Sequence, residues 1–124
     1  MRYAKSDIYF GPWASGDKPI VWLADRIKTP PFSSSGRREV GWLLRRLQRG
    51  ERLQMPHSRA MPAIERGCHE LRVRDENGDW RVVYRADSTA VVVIGMLRKQ
   101  TRRTPGSVIE TRRARFEDYE RRIR

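Results

Sequence analysis

Apolar and charged residues alternate along the second half of the chain in the way that β-strands require. The segment 68–75 alternates in this way, and Asn77-Gly78, the strongest short hairpin signal, follows it. A second strand is predicted at residues 80–86. A third is predicted at 90–99, where the centre is apolar on both faces, as is typical of a central strand. The pattern therefore predicts an antiparallel meander of three strands.

Two helices and one more strand are predicted around this meander. Residues 20–23 form a short apolar run suited to a strand. A helix follows, with the serines at 33–35 as its cap and Gly50 as its stop. The last helix is expected to begin at Thr104-Pro105. The apolar residues at helical spacing are Val40, Leu43, Leu44 and Leu47 in the first helix, and Ile109, Phe116, Tyr119 and Ile123 in the last.

The order β-α-βββ-α predicts an α+β domain, with an antiparallel sheet of about four strands and the helices packed on one face. We expect residues 1–19 to form an N-terminal arm and residues 20–124 a single domain. Residues 53–67, which contain two prolines, are expected to be irregular. A length of 124 residues is sufficient for one domain with a modest core.

The formal net charge of +12 is the strongest signal in the composition, and arginine greatly outnumbers lysine. Such a charge steers a protein towards polyanions, although a well-solvated basic surface without a target is the alternative. No apolar run is long enough for a membrane span, and the N-terminus lacks a secretory pattern. Cys68 is the only cysteine and the two histidines are far apart, so we expect a cytoplasmic protein without a metal or another cofactor.

Strand alternation predicts a basic surface on one face of the meander. Arg72, Arg81 and Lys99 converge on that face, and Gly95 leaves room there for a ligand to approach the backbone. The opposite face would pack against the helices through Leu71, Val73, Val82, Tyr84, Val92, Ile94 and Met96. The alternative is an ordinary exposed sheet face in which arginine pairs with glutamate across strands.

Three segments, in order, resemble the HigB branch of the RelE/ParE toxin superfamily, above all its phage-derived toxin-like proteins. They are Glu70-Leu71-Arg72, Trp80-Arg81-Val82-Val83-Tyr84 and the segment 97–105, which contains Lys99 and ends in Thr-Pro. The resemblance runs from about Trp22 to the C-terminus and includes the helix and glycine at 43–50. The chain departs from the family pattern at Leu97, where relatives have Phe, and at Gln100, where they have a second Lys. It also has no match for a tyrosine that some relatives place near the C-terminus.

This resemblance implies a RelE-like fold and a toxin that enters the ribosomal A site and cuts mRNA there. In such toxins the 2′-hydroxyl attacks the adjacent phosphate, which needs a base, cations around the phosphate and an acid for the leaving oxygen. The resemblance carries Arg81 over as the residue that grips the phosphate. Arg72 and Lys99 match the basic residues of the preceding and last strands.

Other residues have more than one interpretation. Lys99 and His69 are candidate acids or bases, although His69 is otherwise a polar residue at the strand edge. Glu70 is either the base or, as we favour, the partner that orients Arg81. Further RNA contacts are predicted at Arg74, Arg85, Arg98, Arg102 and Arg103. The last three form a cationic segment, for which the alternative interpretation is a solvated loop. Tryptophans can stack on bases, but we expect Trp22 and Trp42 in the core.

The predicted partners are mRNA, the ribosome with its RNA, and a cognate helix-turn-helix antitoxin; no membrane is expected. Two other functions fit the same scaffold. One is a non-catalytic RNA- or ribosome-binding regulatory module, which would leave no cut ends. The other is a gyrase-inhibiting toxin of the ParE type. The motifs around Glu70 and Lys99 favour the mRNA-cleaving activity.

Overall fold

The computed structural model describes residues 8–9, 17–24, 26–99 and 106–123. Within these residues it contains one mixed sheet and two helices. The elements are β1 (Ile8–Tyr9), β2 (Ile20–Trp22), α1 (Ser34–Gln48), β3 (Ser58–Ala60), β4 (Cys68–Asp75), β5 (Gly78–Ala86), β6 (Val91–Arg98) and α2 (Gly106–Ile123). The α+β class is therefore confirmed, as are the meander of β4, β5 and β6 and the order of the predicted elements.

The sheet has six described strands in the order β1-β2-β6-β5-β4-β3. All neighbouring pairs are antiparallel except β2 and β6, which are parallel, with Val21 opposite Val92. The prediction of about four antiparallel strands was therefore too simple. It missed β3 because Ser-Arg-Ala has no alternation to detect, and it missed β1 because two residues are too few to form a pattern.

Helix α1 closes one face of the sheet and begins as the sequence predicts. The Ser33 side chain accepts a hydrogen bond from the Gly36 backbone N–H, and Gly50 after the helix has a φ of 90°. The apolar side of α1 packs against β4, β5 and the first half of β6. This core contains Val40, Leu43, Leu44 and Leu47 from the helix and Leu71, Val73, Val82, Tyr84, Val91 and Val93 from the strands.

Asp75 joins the start of α1 to the β4–β5 hairpin. Its carboxylate accepts hydrogen bonds from the backbone N–H of Ser33 and the indole N–H of Trp80, both at 2.8 Å. It also accepts hydrogen bonds from the backbone N–H groups of Asn77 and Gly78 in the turn. Burial alone would raise the pKa of Asp75, but these hydrogen bonds lower it to about 2. One ionised side chain thus holds both the turn and the helix.

Helix α2 packs on the opposite face of the sheet, which corrects the prediction that both helices lie on one face. Phe116 and Tyr119 lie in a second core with Val83, Val92 and Ile94. The physical reason is a bulge in β6: Val83 pairs with Gly95 and Tyr84 with Val93, which leaves Ile94 unpaired between them. The bulge turns Val92 and Ile94 away from α1, so the second face is also apolar and needs a cover.

Two apolar residues lie outside the cores predicted for them. Ile123 is exposed because it lies at the last residue of α2, and Trp42 is 58% exposed on the outer side of α1. Trp22 is buried as expected.

Of the predicted N-terminal arm, residues 8–9 form β1 and residue 18 exchanges hydrogen bonds with Gln48, while residues 1–7 and 10–16 lie outside the described residues. The predicted start of the last helix at Thr104-Pro105 also lies outside them. None of the described helices is long and apolar enough to cross a membrane.

Two glycines of α1 give opposite predictions for alanine substitution. A Cβ on Gly36 would lie 2.1 Å from the Asp75 carboxylate oxygen, whereas a Cβ on Gly41 would meet nothing within 4 Å. We expect Gly36→Ala to lower the free energy of unfolding by about 1–3 kcal/mol. Gly41→Ala, the matched control, should raise it by about 0.5–1 kcal/mol because alanine favours a helix. Urea denaturation measures both, and equal effects would contradict the proposed contact.

The lowered pKa of Asp75 predicts an acid-sensitive part of the stability. The ordinary pKa is 3.8 and the folded value is about 2, so this stabilisation is present above pH 4 and is lost as the pH falls towards 2. Compared with wild type, Asp75→Asn should be less stable at pH 5, and the difference should shrink between pH 4 and 2. The midpoints of urea denaturation at several pH values measure this difference in stability. A difference that stays constant over this range would rule out Asp75 as the titrating group.

Candidate functional site

The hairpin register brings the predicted phosphate-binding residues together. Arg72 lies directly opposite Arg81 on β4 and β5, and Glu70 lies on the same face two residues earlier. Arg81 in turn lies opposite Leu97 of β6. The backbone N–H of Lys99 donates to the Asp79 carbonyl at 2.7 Å, so the strand pairing continues to Lys99 on the face of Leu97 and Arg81. This part of the predicted arrangement follows from alternation alone.

Helix α2 adds two arginines to this face, and their guanidinium groups lie over Gly95. A Cβ on Gly95 would lie 2.9 Å from Arg115 Nη1 and 3.5 Å from Arg112 Nε. Arg115 Nη1 also donates to the Ile94 carbonyl at 3.3 Å. The space above Gly95, which the sequence predicted to be left for a ligand, is therefore occupied by guanidinium groups of the protein itself.

The cluster of Glu70, Arg81, Arg112 and Arg115, hereafter the cation cluster, is largely removed from water. Glu70 is 2%, Arg112 3% and Arg81 8% exposed. Arg81 Nε lies 3.6 Å from Glu70 Oε1, too far for a hydrogen bond. Both Arg81 Nε and Glu70 Oε2 are buried without a hydrogen-bond partner. Buried groups in folded proteins rarely remain unsatisfied, so these two atoms are available to a further hydrogen-bond partner.

The electrostatics of the cation cluster favour an added anion. Burial and the charge of Arg115 lower the pKa of Arg112 to about 10, against the opposing effect of Glu70. Burial and Arg72 lower the pKa of Arg81. Both guanidinium groups stay charged at neutral pH. One carboxylate therefore faces several cations, and a bound phosphate would relieve their mutual repulsion.

A shallow pocket of about 250 Å³ opens beside the cation cluster, between the end of β6 and the first turns of α2. Its lining includes the two arginines of α2, together with Met96, Leu97, Ser107, Val108 and Thr111. Arg115 is half-buried beside this pocket, whereas Arg112 is only 3% exposed. A phosphate can thus approach Arg115 from the edge of the sheet, and contact with Arg112 requires its side chain to move.

The remaining predicted site residues are distributed over both faces. Arg74 is exposed on the face of Arg81 and makes a bidentate ion pair with Asp79, at 2.6 and 3.2 Å. Arg85 is also on this face, but it is paired with Asp87 and Glu120 and lies 3.9 Å from the Phe116 ring centre. Its charge is therefore compensated within the fold.

His69 and Arg98 lie on the side of α1, away from Arg81. The His69 ring stacks on Tyr84, with ring centres 5.8 Å apart, and Nδ1 lies 3.1 Å from the Gly67 carbonyl. Arg98 lies over Gly78 and lines a pocket with Trp80. Arg102 and Arg103 lie outside the described residues. Of the candidate acids and bases, Glu70 and Lys99 therefore lie on the face of Arg81, and His69 does not.

Arg112 and Arg115 are the site residues that the sequence did not single out. They belong to an arginine-rich helix in which only a narrow stripe is apolar, so no single arginine stood out. The available signal was their position: Arg112 precedes Phe116 by four residues and therefore lies on the buried side of α2. In the described residues no group of three His, Cys, Asp or Glu side chains could hold a metal ion.

A family model described as "Phage derived protein Gp49-like (DUF891)" matches residues 31–117, which include α1, the meander and most of α2. The chain belongs to the Gp49-like family. This family is part of the RelE/HigB-like toxin superfamily, so the superfamily that the motifs predicted is confirmed. Gp49-like proteins are often the toxins of toxin–antitoxin systems, and the family is associated with endoribonuclease activity. No curated protein and no solved structure matches the chain.

In this Gp49-like protein the burial of the charged Arg112 side chain should lower the free energy of unfolding. We expect Arg112→Met to leave the free energy of unfolding unchanged or to raise it, because a buried charge is replaced by an apolar side chain of similar length. The neighbouring Arg113 is the control, since it donates to the Ala63 and Ile64 carbonyls and Arg113→Met removes those bonds. Urea denaturation measures both. Equal destabilisation by the two substitutions would show that Arg112 contributes to stability.

Proposed function

We propose that the chain is the toxin of a type II toxin–antitoxin system and acts as a ribosome-dependent mRNA interferase of the HigB branch. The observation that carries the proposal is the cation cluster. Arg81, Arg112 and Arg115 lie between the sheet and α2 on the face that carries one carboxylate, Glu70, and both Arg81 and Glu70 have an unsatisfied polar atom. A site that keeps so much uncompensated positive charge beside the sheet is suited to a phosphodiester. Family membership supports the same conclusion.

In the proposed reaction the 2′ oxygen forms a bond to the adjacent phosphorus and the bond from phosphorus to the 5′ oxygen breaks. Arg81 and Arg112 hold the non-bridging phosphate oxygens, where charge increases in the transition state. Arg72, which is half-buried opposite Arg81, and Arg115 add to this positive field. Catalysis here is mainly the positioning of cations around one phosphate.

Two residues on this face are proposed for proton transfer. Glu70 Oε2 has no hydrogen-bond partner and is the group that accepts the 2′ proton. We favour this role over a purely orienting one because Glu70 makes no hydrogen bond to Arg81. Lys99 supplies the proton for the leaving 5′ oxygen. Access to Glu70 requires the guanidinium groups above Gly95 to move towards the phosphate, which long arginine side chains can do by rotation.

The proposed partners follow from this activity. They are mRNA in the ribosomal A site, ribosomal RNA around it, and an antitoxin, for which a helix-turn-helix protein is our proposal. The setting is the cytoplasm, where ribosomes are found. Among the predicted RNA contacts, Arg74 and Arg98 are exposed and remain proposals for backbone phosphates, as do Arg102 and Arg103. Arg85 is left out because two carboxylates already pair with it.

The proposal predicts that Arg81→Ala or Lys99→Ala abolishes growth arrest while the fold persists. Induced expression followed by primer extension of cellular mRNA measures both the arrest and the cut ends at A-site codons. Glu70→Gln should reduce cleavage about 100-fold or more, the usual contribution of a positioned base. Arg121→Ala is the matched control, because Arg121 is an exposed arginine at the far end of α2. It should remain fully toxic.

Other outcomes would contradict the proposal in distinguishable ways. Full toxicity of both Arg81→Ala and Lys99→Ala would reject the site. Growth arrest without cut ends would point to the non-catalytic RNA- or ribosome-binding module. Loss of DNA supercoiling by gyrase in the presence of the purified chain would point to the ParE-type activity instead.

A further inference from the structure

The outer face of α1 carries an exposed tryptophan between arginines. Trp42 is 58% exposed, although such a position on a helix usually holds a polar residue. Arg38 lies four residues before it, Arg46 four residues after it and Arg49 seven residues after it, so all four side chains share one side of the helix. These four residues are hereafter the α1 outer face. We propose that the α1 outer face binds a single-stranded segment of RNA, with Trp42 stacked on an unpaired base.

The charge of this helix fits a polyanion. From Ser34 to its C-cap at Arg49 the chain has five arginines and one acidic residue, Glu39. Neither Arg38 nor Arg49 has an ion-pair partner in the part of the chain that the structure describes, and the pair between Arg46 and Glu51 is long at 3.4 Å. Arg38 and Arg49 are both exposed. The surface therefore offers guanidinium groups that are available for phosphates.

The order of side chains favours RNA over an acidic protein. A cation, an aromatic ring and a second cation follow one another along the helix, and Arg38 and Arg46 are about 12 Å apart along its axis. A single strand of nucleic acid presents phosphates and flat bases in the same alternation. Arginine binds phosphate through two parallel hydrogen bonds, and tryptophan stacks on any base. An acidic peptide would use the charges but would leave the ring without a matching surface.

This surface is separate from the cation cluster. Helix α1 covers one face of the sheet, while Arg81, Arg112 and Arg115 lie between the other face and α2. A polynucleotide on the α1 outer face therefore occupies a second site on the opposite side of the molecule. The inference goes beyond the proposed cleavage, because binding here requires no chemistry and survives if the chain proves not to cut RNA.

The test is binding of a fluorescein-labelled 2′-O-methyl oligouridylate, which 2′-hydroxyl attack cannot cut, to the full-length chain. Fluorescence anisotropy gives the Kd over a series of salt concentrations. Trp42→Ala should weaken binding roughly 5- to 150-fold, the range for loss of one stacked base, while Trp42→Phe retains most of the affinity. Arg38→Gln should reduce the slope of log Kd against log salt by about 0.7. Ile123→Ala, which removes another exposed apolar side chain, is the matched control and should bind normally.

The same assay on Arg81→Ala separates this proposal from the cleavage site. If the two surfaces are independent, Trp42→Ala weakens binding by the same factor with or without Arg81→Ala. An unchanged Kd for Trp42→Ala would overturn the proposal. So would a polyglutamate peptide that binds with the same dependence on Trp42, since the surface would then be a protein-docking site.

Discussion

The packing of α2 on the second face of the sheet is the interaction on which the cation cluster depends. Phe116 and Tyr119 of α2 close the second core with Val83, Val92 and Ile94. The same helix places Arg112 and Arg115 over Gly95, where the tip of Arg115 lies 2.9 Å from the position of a Cβ. Glu70, Arg81 and Arg112 are almost completely removed from water. An apolar core and a group of buried charges thus share one helix–sheet interface.

Several polar contacts keep α2 in place over these charges. Arg85 on β5 pairs with Glu120, and Arg113 donates to the Ala63 and Ile64 carbonyls in the loop before β4. These bonds, together with Phe116 in the second core, fix α2 at three points along its length. A fixed helix maintains the repulsion among the buried arginines, because the charges cannot separate by moving the backbone. The fold therefore keeps several like charges close together, and an anion placed among them would lower their mutual repulsion.

The strands and the hairpin register, which depend on local periodicity, could be predicted from the sequence. Alternation in β4 and β5, together with the turn at Asn77-Gly78, was sufficient to place Arg72 opposite Arg81. It could not predict the bulge at Ile94, because one extra residue reverses the alternation without leaving a compositional signal. Because Val92 and Ile94 were assigned to the wrong face of the sheet, the second core was not predicted. As a result α2 was assigned to the wrong side, and no role was predicted for Arg112.

The distribution of charge gives this fold two different kinds of basic surface. In the cation cluster Arg81 and Arg112 are buried, so the phosphate binding proposed there would depend on desolvated contacts and would resist screening by salt. On the α1 outer face the arginines lie in solvent, and their attraction for polyanions is long-ranged and weakened by salt. The sheet separates the two surfaces. A large folded RNA can contact both at once, whereas a short oligonucleotide spans only one, and linked binding at two sites raises affinity without new contacts. In the proposed function this difference explains why mRNA on the ribosome would be a better substrate than free mRNA.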